Sequence, residues 1–272
     1  MAKLSAFADE VTEDFRGQVE YLTQEKVGYI EPRFINKKNI MDLNQGELKE
    51  ARQMLRDHGL KVSAIGSPIG KIGIDEPFEP HLADFGRAIQ LAELFDCRHI
   101  RVFSFYVPEG RADAYRAQVM ERLGALLDRA KGHPVVLLHE NERRIYGDIP
   151  RRCLDILETF ASPQLRMTFD PANFVFCDVR PFTDGYEMLK DYIDYLHIKD
   201  VIADGLRIVP AGEGDAQVRE VLSALQARGY DGFASLEPHL SEAGPFKGYS
   251  GPDLFGVAAK ALKDVLAEIG QP

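Results

Sequence analysis

The runs LLHENE (137–142), TFDPANF (168–174), YLHIKD (195–200) and ASLEPH (234–239) decide the fold. Each opens as a short apolar stretch with strand character. Each reaches a side chain able to bind metal: Glu140, Asp170, His197 and Glu237. The gaps are 170−140 = 30, 197−170 = 27 and 237−197 = 40 residues. A (β/α)8 barrel of about 250 residues has a strand–helix unit of roughly 31 residues. The ligand types therefore recur about one unit apart, each at the C-terminal end of a strand, where such a barrel carries its active site.

Working outward, eight runs read as strands: KLSAFA (3–8), YIEPRF (29–34), KVSAIGS (61–67), HIRVFSF (99–105), PVVLLHE (134–140), LRMTFD (165–170), YLHIK (195–199) and GFASLE (232–237). Amphipathic stretches at 13–25, 48–59, 81–95 and 115–131 fall between them. In the last of these, Val119, Leu123, Leu126 and Leu127 share one helical face. The stretch 253–269 supplies an eighth helix. Eight strands alternating with eight helices predict a parallel (β/α)8 TIM barrel, a single domain over 1–272. An open doubly wound sheet would want a GxGxxG turn after the first strand, where this chain reads Ala8-Asp9-Glu10.

A chain of 272 residues can bury a sizeable core. Its 43 acidic and 33 basic residues give a net charge of −10, which argues against a nucleic-acid partner. A small anionic substrate is still allowed, because local charge can differ from net charge. The three cysteines form no CxxC pair and are odd in number, which fits a reducing compartment. The N-terminus shows no signal-peptide pattern, and no apolar run approaches the ~20 residues that span a bilayer. The expectation is a cytoplasmic enzyme with no membrane partner.

Each ligand has a bland reading when taken singly. Glu140 suits a salt bridge, Asp170 a helix N-cap, His197 a core histidine, and Glu237 a partner for Arg207 or Lys199. Four ligand types at four successive strand ends are better read together, as one divalent-cation site. Three carboxylates and one imidazole suit Mn, Mg, Co or Zn in a five- or six-coordinate site. A structural zinc would ask for more Cys and His. Glu140 and Glu237, from the fifth and eighth strands, would flank a substrate and could remove and deliver a proton. The cation would stabilise the enediolate.

HIKD (197–200) and PAGEGD (210–215) extend the pattern. From SAFADE (5–10) to SLEPH (235–239), the chain resembles the xylose-isomerase-like TIM barrels of the sugar phosphate isomerase/epimerase superfamily. The resemblance implies a metal-dependent isomerase or epimerase acting on a carbohydrate or polyol-derived ketone. It implies Glu140 and Glu237 as ligands and acid/base residues, with Asp170 and His197 completing the ligand set. Asn173 stands where ketose 3-epimerases commonly place a substrate-contacting His. Arg207 stands where they have a substrate-binding Arg. A homodimer is common among such relatives and is one option here.

Other strand ends add expected substrate contacts: Glu31 and Arg33, Ser67 and Lys71, Arg101 and Ser104, and Lys199. Asn141 and His239 adjoin ligands. An inosose-type dehydratase is the alternative, since it begins with the same enolisation and then expels a β-hydroxyl. An AP-endonuclease-like DNA repair enzyme would want a trinuclear zinc cluster with further histidines, where the third and fourth strands end near Ser67 and Ser104. A non-catalytic sugar-binding protein would not need a metal flanked by two carboxylates.

Overall fold

Strands buried on both faces read as near-continuous apolar runs and belong to parallel sheets covered by helices. The fifth strand, Val136–Glu140, is buried at every position. In a computed structural model, which describes residues 2–240 and 250–270, that strand lies inside a curled sheet of seven strands. Their spatial order is first (Lys3–Ala6), eighth (Phe233–Leu236), seventh (Ile193–Ile198), sixth (Leu165–Phe169), fifth, fourth (His99–Val102) and third (Ala64–Ile65). All these neighbours are parallel. The short second strand, Tyr29–Ile30, closes the ring. It pairs with Lys61–Val62 on one side, and the Glu31 N–H donates to Ala6 O at 2.8 Å on the other. The result is a TIM barrel.

The first and fourth strands end short of expectation, at Ala6 and Val102, and the second and third differ in form. The second stops at Ile30 rather than residue 34, because Pro32 has no N–H to give the ladder. The chain then forms a hairpin of Phe34–Ile35 and Lys38–Asn39. Its central residues, Asn36 and Lys37, have φ of 50° and 69°, the pattern of a tight two-residue turn. The third strand is broken at Ser63, whose hydroxyl turns to Ser5 Oγ and Tyr195 Oη inside the barrel.

Local signals set the helix ends. Asp14 caps Phe15–Gln24 through the Gly17 N–H, and Asn44 with Glu47 forms a capping box on Gln45–Asp57. Long helices also follow at Phe78–Leu94, Ala112–Ala130, Pro150–Phe160, Val218–Ala227 and Gly251–Glu268. A single regular helix does not follow the sixth strand, so the expected count of eight is corrected there. That unit is split into Pro171–Val175, a wide π-type turn at Pro181–Tyr186, and Glu187–Leu189. A Cβ on Gly185 would lie 2.9 Å from Pro150 Cγ, so this segment packs closely on the preceding helix.

The main core lies between strands and helices, with Phe85, Leu91, Leu126, Ile156, Leu222 and Leu262 all buried. A smaller cluster of Ala64, Val136, Leu138 and Tyr195, backed by Phe233, fills the barrel interior toward the strands' N-terminal ends. Polar side chains gather at the other end. Among the described residues, no helix is long and apolar enough to cross a membrane.

One carboxylate organises the loop beyond the seventh strand. Asp200 is buried and accepts N–H bonds from Val201, Gly212, Gly214 and Ala216 at 2.8, 2.8, 3.1 and 3.0 Å. A Cβ on Gly214 would lie 2.3 Å from Asp200 Oδ1, so this approach requires glycine. HIKD and PAGEGD are thus two halves of one fastening. Asp200→Ala should destabilise the protein by about 2–4 kcal/mol, because hydrogen bonds to a charged acceptor are strong and their donors are left unpaired. The midpoint of urea unfolding reads this out; an unchanged midpoint would count against the assignment.

Candidate metal centre

The strand ends deliver the four expected ligand residues to one place. Glu140 ends the fifth strand, Asp170 follows the sixth, His197 lies in the seventh, and Glu237 follows the eighth. All four are buried, and one ligand atom from each lies within 4.8 Å of the others. His197 Nδ1 is 2.9 Å from Glu140 Oε1 and 3.6 Å from Glu237 Oε2.

Asp170 serves two purposes. Its Oδ1 accepts the Asn173 N–H at 2.9 Å and caps Pro171–Val175, while Oδ2 faces Lys199. Asn141 holds the backbone of Asp170 at both ends. Its Nδ2 donates to Asp170 O at 2.8 Å, and its Oδ1 accepts from Asp170 N at 2.9 Å.

The atoms left over test whether the site suits a cation. Asp170 Oδ2, His197 Nδ1 and Glu237 Oε2 are buried, and none has a hydrogen-bond partner. Buried polar atoms are nearly always paired. Three atoms of ligand type without a hydrogen-bond partner, converging beside Glu140, fit a divalent ion bound mainly through oxygen. Lys199 Nζ sits 2.8 Å from Asp170 Oδ2 and 3.6 Å from Glu237 Oε2, as an ion pair rather than an aligned hydrogen bond.

Each glutamate is divided between the cluster and a guanidinium. Glu140 Oε2 accepts from Arg101 at 3.3 Å. Arg101 also donates to the carbonyls of Ser67 and Gly66. Glu237 Oε1 accepts from Arg33 at 2.8 Å, and Arg33 Nε donates to Asp9 at 2.9 Å. Both guanidinium carbons lie over the Phe7 ring, at 4.7 and 5.0 Å from its centroid. His239 Nε2 lies 3.0 Å from Glu10 Oε1 and 3.4 Å from Glu237 Oε1.

These neighbours set the charge states. Burial works against ionisation of Glu140, but His197 and Arg101 hold its carboxyl below the usual range. Burial likewise opposes ionisation of Glu237, which Lys199 and His239 hold well below. Burial raises Asp170, against the pull of Lys199. Burial disfavours charge on His197, yet Glu140 and Glu31 push its pKa up to about 10. His239 is lifted to about 9, because Glu237 and Glu10 outweigh its burial.

The other expected contacts fall in different places. Asn173 is buried, with Nδ2 3.4 Å from Glu140 Oε1 and 2.9 Å from Asn141 O. Glu31 is buried, and its oxygens are taken by Tyr195 and His197. Ser67 supports Arg101, its hydroxyl donating to the Arg101 carbonyl. Lys71 pairs with Glu142 at 2.9 Å and lies over the Phe103 ring. Ser104 Oγ bonds His139 and Gly147.

Arg207 is not brought to the cluster. It stands exposed on an antiparallel hairpin, opposite Ile202, and Arg33 takes the place expected for it beside Glu237. Asp9 and Glu10 were not singled out by the sequence reading. Their signal was available, since ADE follows the first strand at the same rim where the four cluster residues end or follow theirs.

A family model described as xylose isomerase-like TIM barrel matches residues 20–264. The fold is similar to a probable 3-DHS dehydratase, AsbF, involved in petrobactin synthesis in Bacillus anthracis. The TM-score is 0.77 at 21% identity, covering 97% of this chain and 99% of that one. It is similar to D-allulose 3-epimerase from Methylomonas sp. in complex with D-allulose, with TM-score 0.76, 15% identity and coverage of 97% and 96%. A xylose isomerase-like TIM barrel protein from Mycobacterium smegmatis, solved with magnesium, gives TM-score 0.72, 18% identity and coverage of 98% and 96%. At these identities the likeness is one of fold. No curated protein matches this sequence.

Proposed function

The chain belongs to the xylose isomerase-like TIM barrel family, and from that premise we propose that it is a divalent-metal-dependent enzyme that isomerises or epimerises a carbohydrate or polyol-derived ketone. The observation that carries this reading is the convergence of buried ligand atoms without a hydrogen-bond partner, on Asp170, His197 and Glu237, beside Glu140. Mn, Mg, Co or Zn would suit these donors. When bound, such an ion supplies Lewis-acid stabilisation of charge developing on a substrate carbonyl oxygen.

The protein's own part is proton handling and orientation. Glu140 and Glu237 are held ionised by Arg101 and His197 and by Lys199 and His239. An ionised carboxylate beside the carbon next to a carbonyl can take its proton. Lys199 and Asn173 border the same space and would orient substrate oxygens. The substrate is read as a free small molecule rather than a nucleic acid.

A second reading, an inosose-type dehydratase, is favoured by His239. It is held protonated 3.4 Å from Glu237 Oε1, and a cationic imidazole there could protonate a departing hydroxyl. The test is a metal-supplemented screen of ketoses, inososes and keto-sugar acids in D2O, following isomers and dehydrated products. The leading reading expects a new isomer with deuterium beside the carbonyl. The alternative expects loss of water. Equal turnover by metal-stripped and metal-loaded protein would overturn both.

A further inference from the structure

Glu31 has an unusual place for a strand-end carboxylate. It is buried to 1% exposure. Its Oε2 accepts from Tyr195 Oη at 2.8 Å, and both oxygens lie 3.2–3.3 Å from His197 Nε2. The Tyr195 hydroxyl is tied onward to Ser63 Oγ at 2.8 Å, and Ser63 Oγ to Ser5 Oγ at 2.6 Å. A hydrogen-bonded chain therefore runs down the barrel interior and fixes the carboxylate from behind. Phe7 packs edge-on against the His197 ring, with centroids 5.0 Å apart.

Resting on the metal reading above, we propose that Glu31 is a positioning residue for the cation, holding His197 so that Nδ1 is the nitrogen presented to the cluster. Nε2 points away from the cluster at Glu31, whose carboxylate only accepts hydrogen bonds, so Nε2 keeps its proton when the other ring nitrogen binds a cation. Nδ1 points into the cluster, 2.9 Å from Glu140 Oε1, and a cation held there would take the place of its proton. Metal-binding histidines are commonly oriented by a carboxylate on the other ring nitrogen, which also makes the ligating nitrogen a better donor. Tyr195 fixes the carboxylate in turn. This role differs from the substrate contact expected at Glu31, because its oxygens are already engaged by protein donors.

The test is zinc affinity, measured by competition with a chromophoric chelator on wild type, Glu31→Gln, Glu31→Ala and Tyr195→Phe. Glu31→Gln keeps the shape but loses the charge and should bind zinc about 10–100-fold more weakly. Glu31→Ala should lose at least as much, and Tyr195→Phe less than Glu31→Gln. Zinc-loaded, 15N-labelled wild type should show His197 protonated at Nε2 and ligated through Nδ1, with a slowly exchanging Nε2 proton. In Glu31→Ala that proton should exchange fast. A purely structural role would leave zinc affinity unchanged in Glu31→Gln and in Tyr195→Phe, and that result would overturn the proposal. If Glu31→Ala fails to fold, the other two variants still decide. A wild-type protein that takes up no zinc, manganese or magnesium would overturn the metal reading, and this inference with it.

Discussion

Glu140→Gln and Glu237→Gln should each lower turnover by about 10²–10⁴-fold, the usual contribution of a positioned acid or base. Glutamine keeps a carbonyl oxygen that can still touch a cation, but it cannot take a proton at neutral pH. Each glutamate's other oxygen accepts from a guanidinium, Arg101 at Glu140 and Arg33 at Glu237, and glutamine's single oxygen can serve the cation or the guanidinium but not both, so the unfolding midpoint is measured alongside. Metal content must be measured on the same samples, because activity could also fall through loss of the ion. Solvent deuterium separates the reaction classes. Isomerisation or epimerisation places deuterium beside the carbonyl, whereas dehydration releases water. Full activity in a metal-loaded double variant would remove these glutamates from the acid/base role, and Lys199, 3.6 Å from Glu237 Oε2, would be the next residue to examine.

His197→Ala should abolish retention of the cation during purification. His197 supplies the one nitrogen in the four-residue set, and the loss should exceed the 10–100-fold typical of removing only an outer partner. A ligand at one hundred times its Kd stabilises the folded state by about 2.7 kcal/mol. Added metal should therefore raise the melting temperature of wild type and leave that of His197→Ala unmoved. The metal-induced shift is the proper comparison. The variant also loses the partner of Glu31 and Glu140 and should be less stable without any ion, since unpaired buried charge is costly. Equal metal content in the two proteins by elemental analysis would count against the ligand assignment.

The barrel was legible because strand and helix periods alternate and because ligand residues recur at one strand–helix spacing. The four cluster residues were legible for the same reason: position at a strand end fixes which rim of the barrel a side chain reaches. What escaped the reading depends on ring closure. Arg33 meets Glu237 across 204 positions of sequence, and His239 meets Glu10 through the seam between first and eighth strands. No local pattern announces such contacts.

Glu31 was found as a strand-end residue, but not its direction. Whether it faces substrate or the back of His197 depends on Tyr195 from the opposite part of the chain. Arg207 was placed by likeness of a loop, and loops vary in path more than strands do. The early stop of the second strand had a readable cause in Pro32, and the broken unit after the sixth strand had one in Pro181.

The apolar layer of Ala64, Val136, Leu138 and Tyr195, with Phe233 against it, makes the barrel a cup rather than a pipe. That floor reaches the ligand set directly, since the Tyr195 ring stands edge-on to His197 with centroids 5.7 Å apart. Floor and ligand set are thus mechanically one piece, and a cavity opened at Tyr195 would loosen the grip on His197 as well as the packing beneath it.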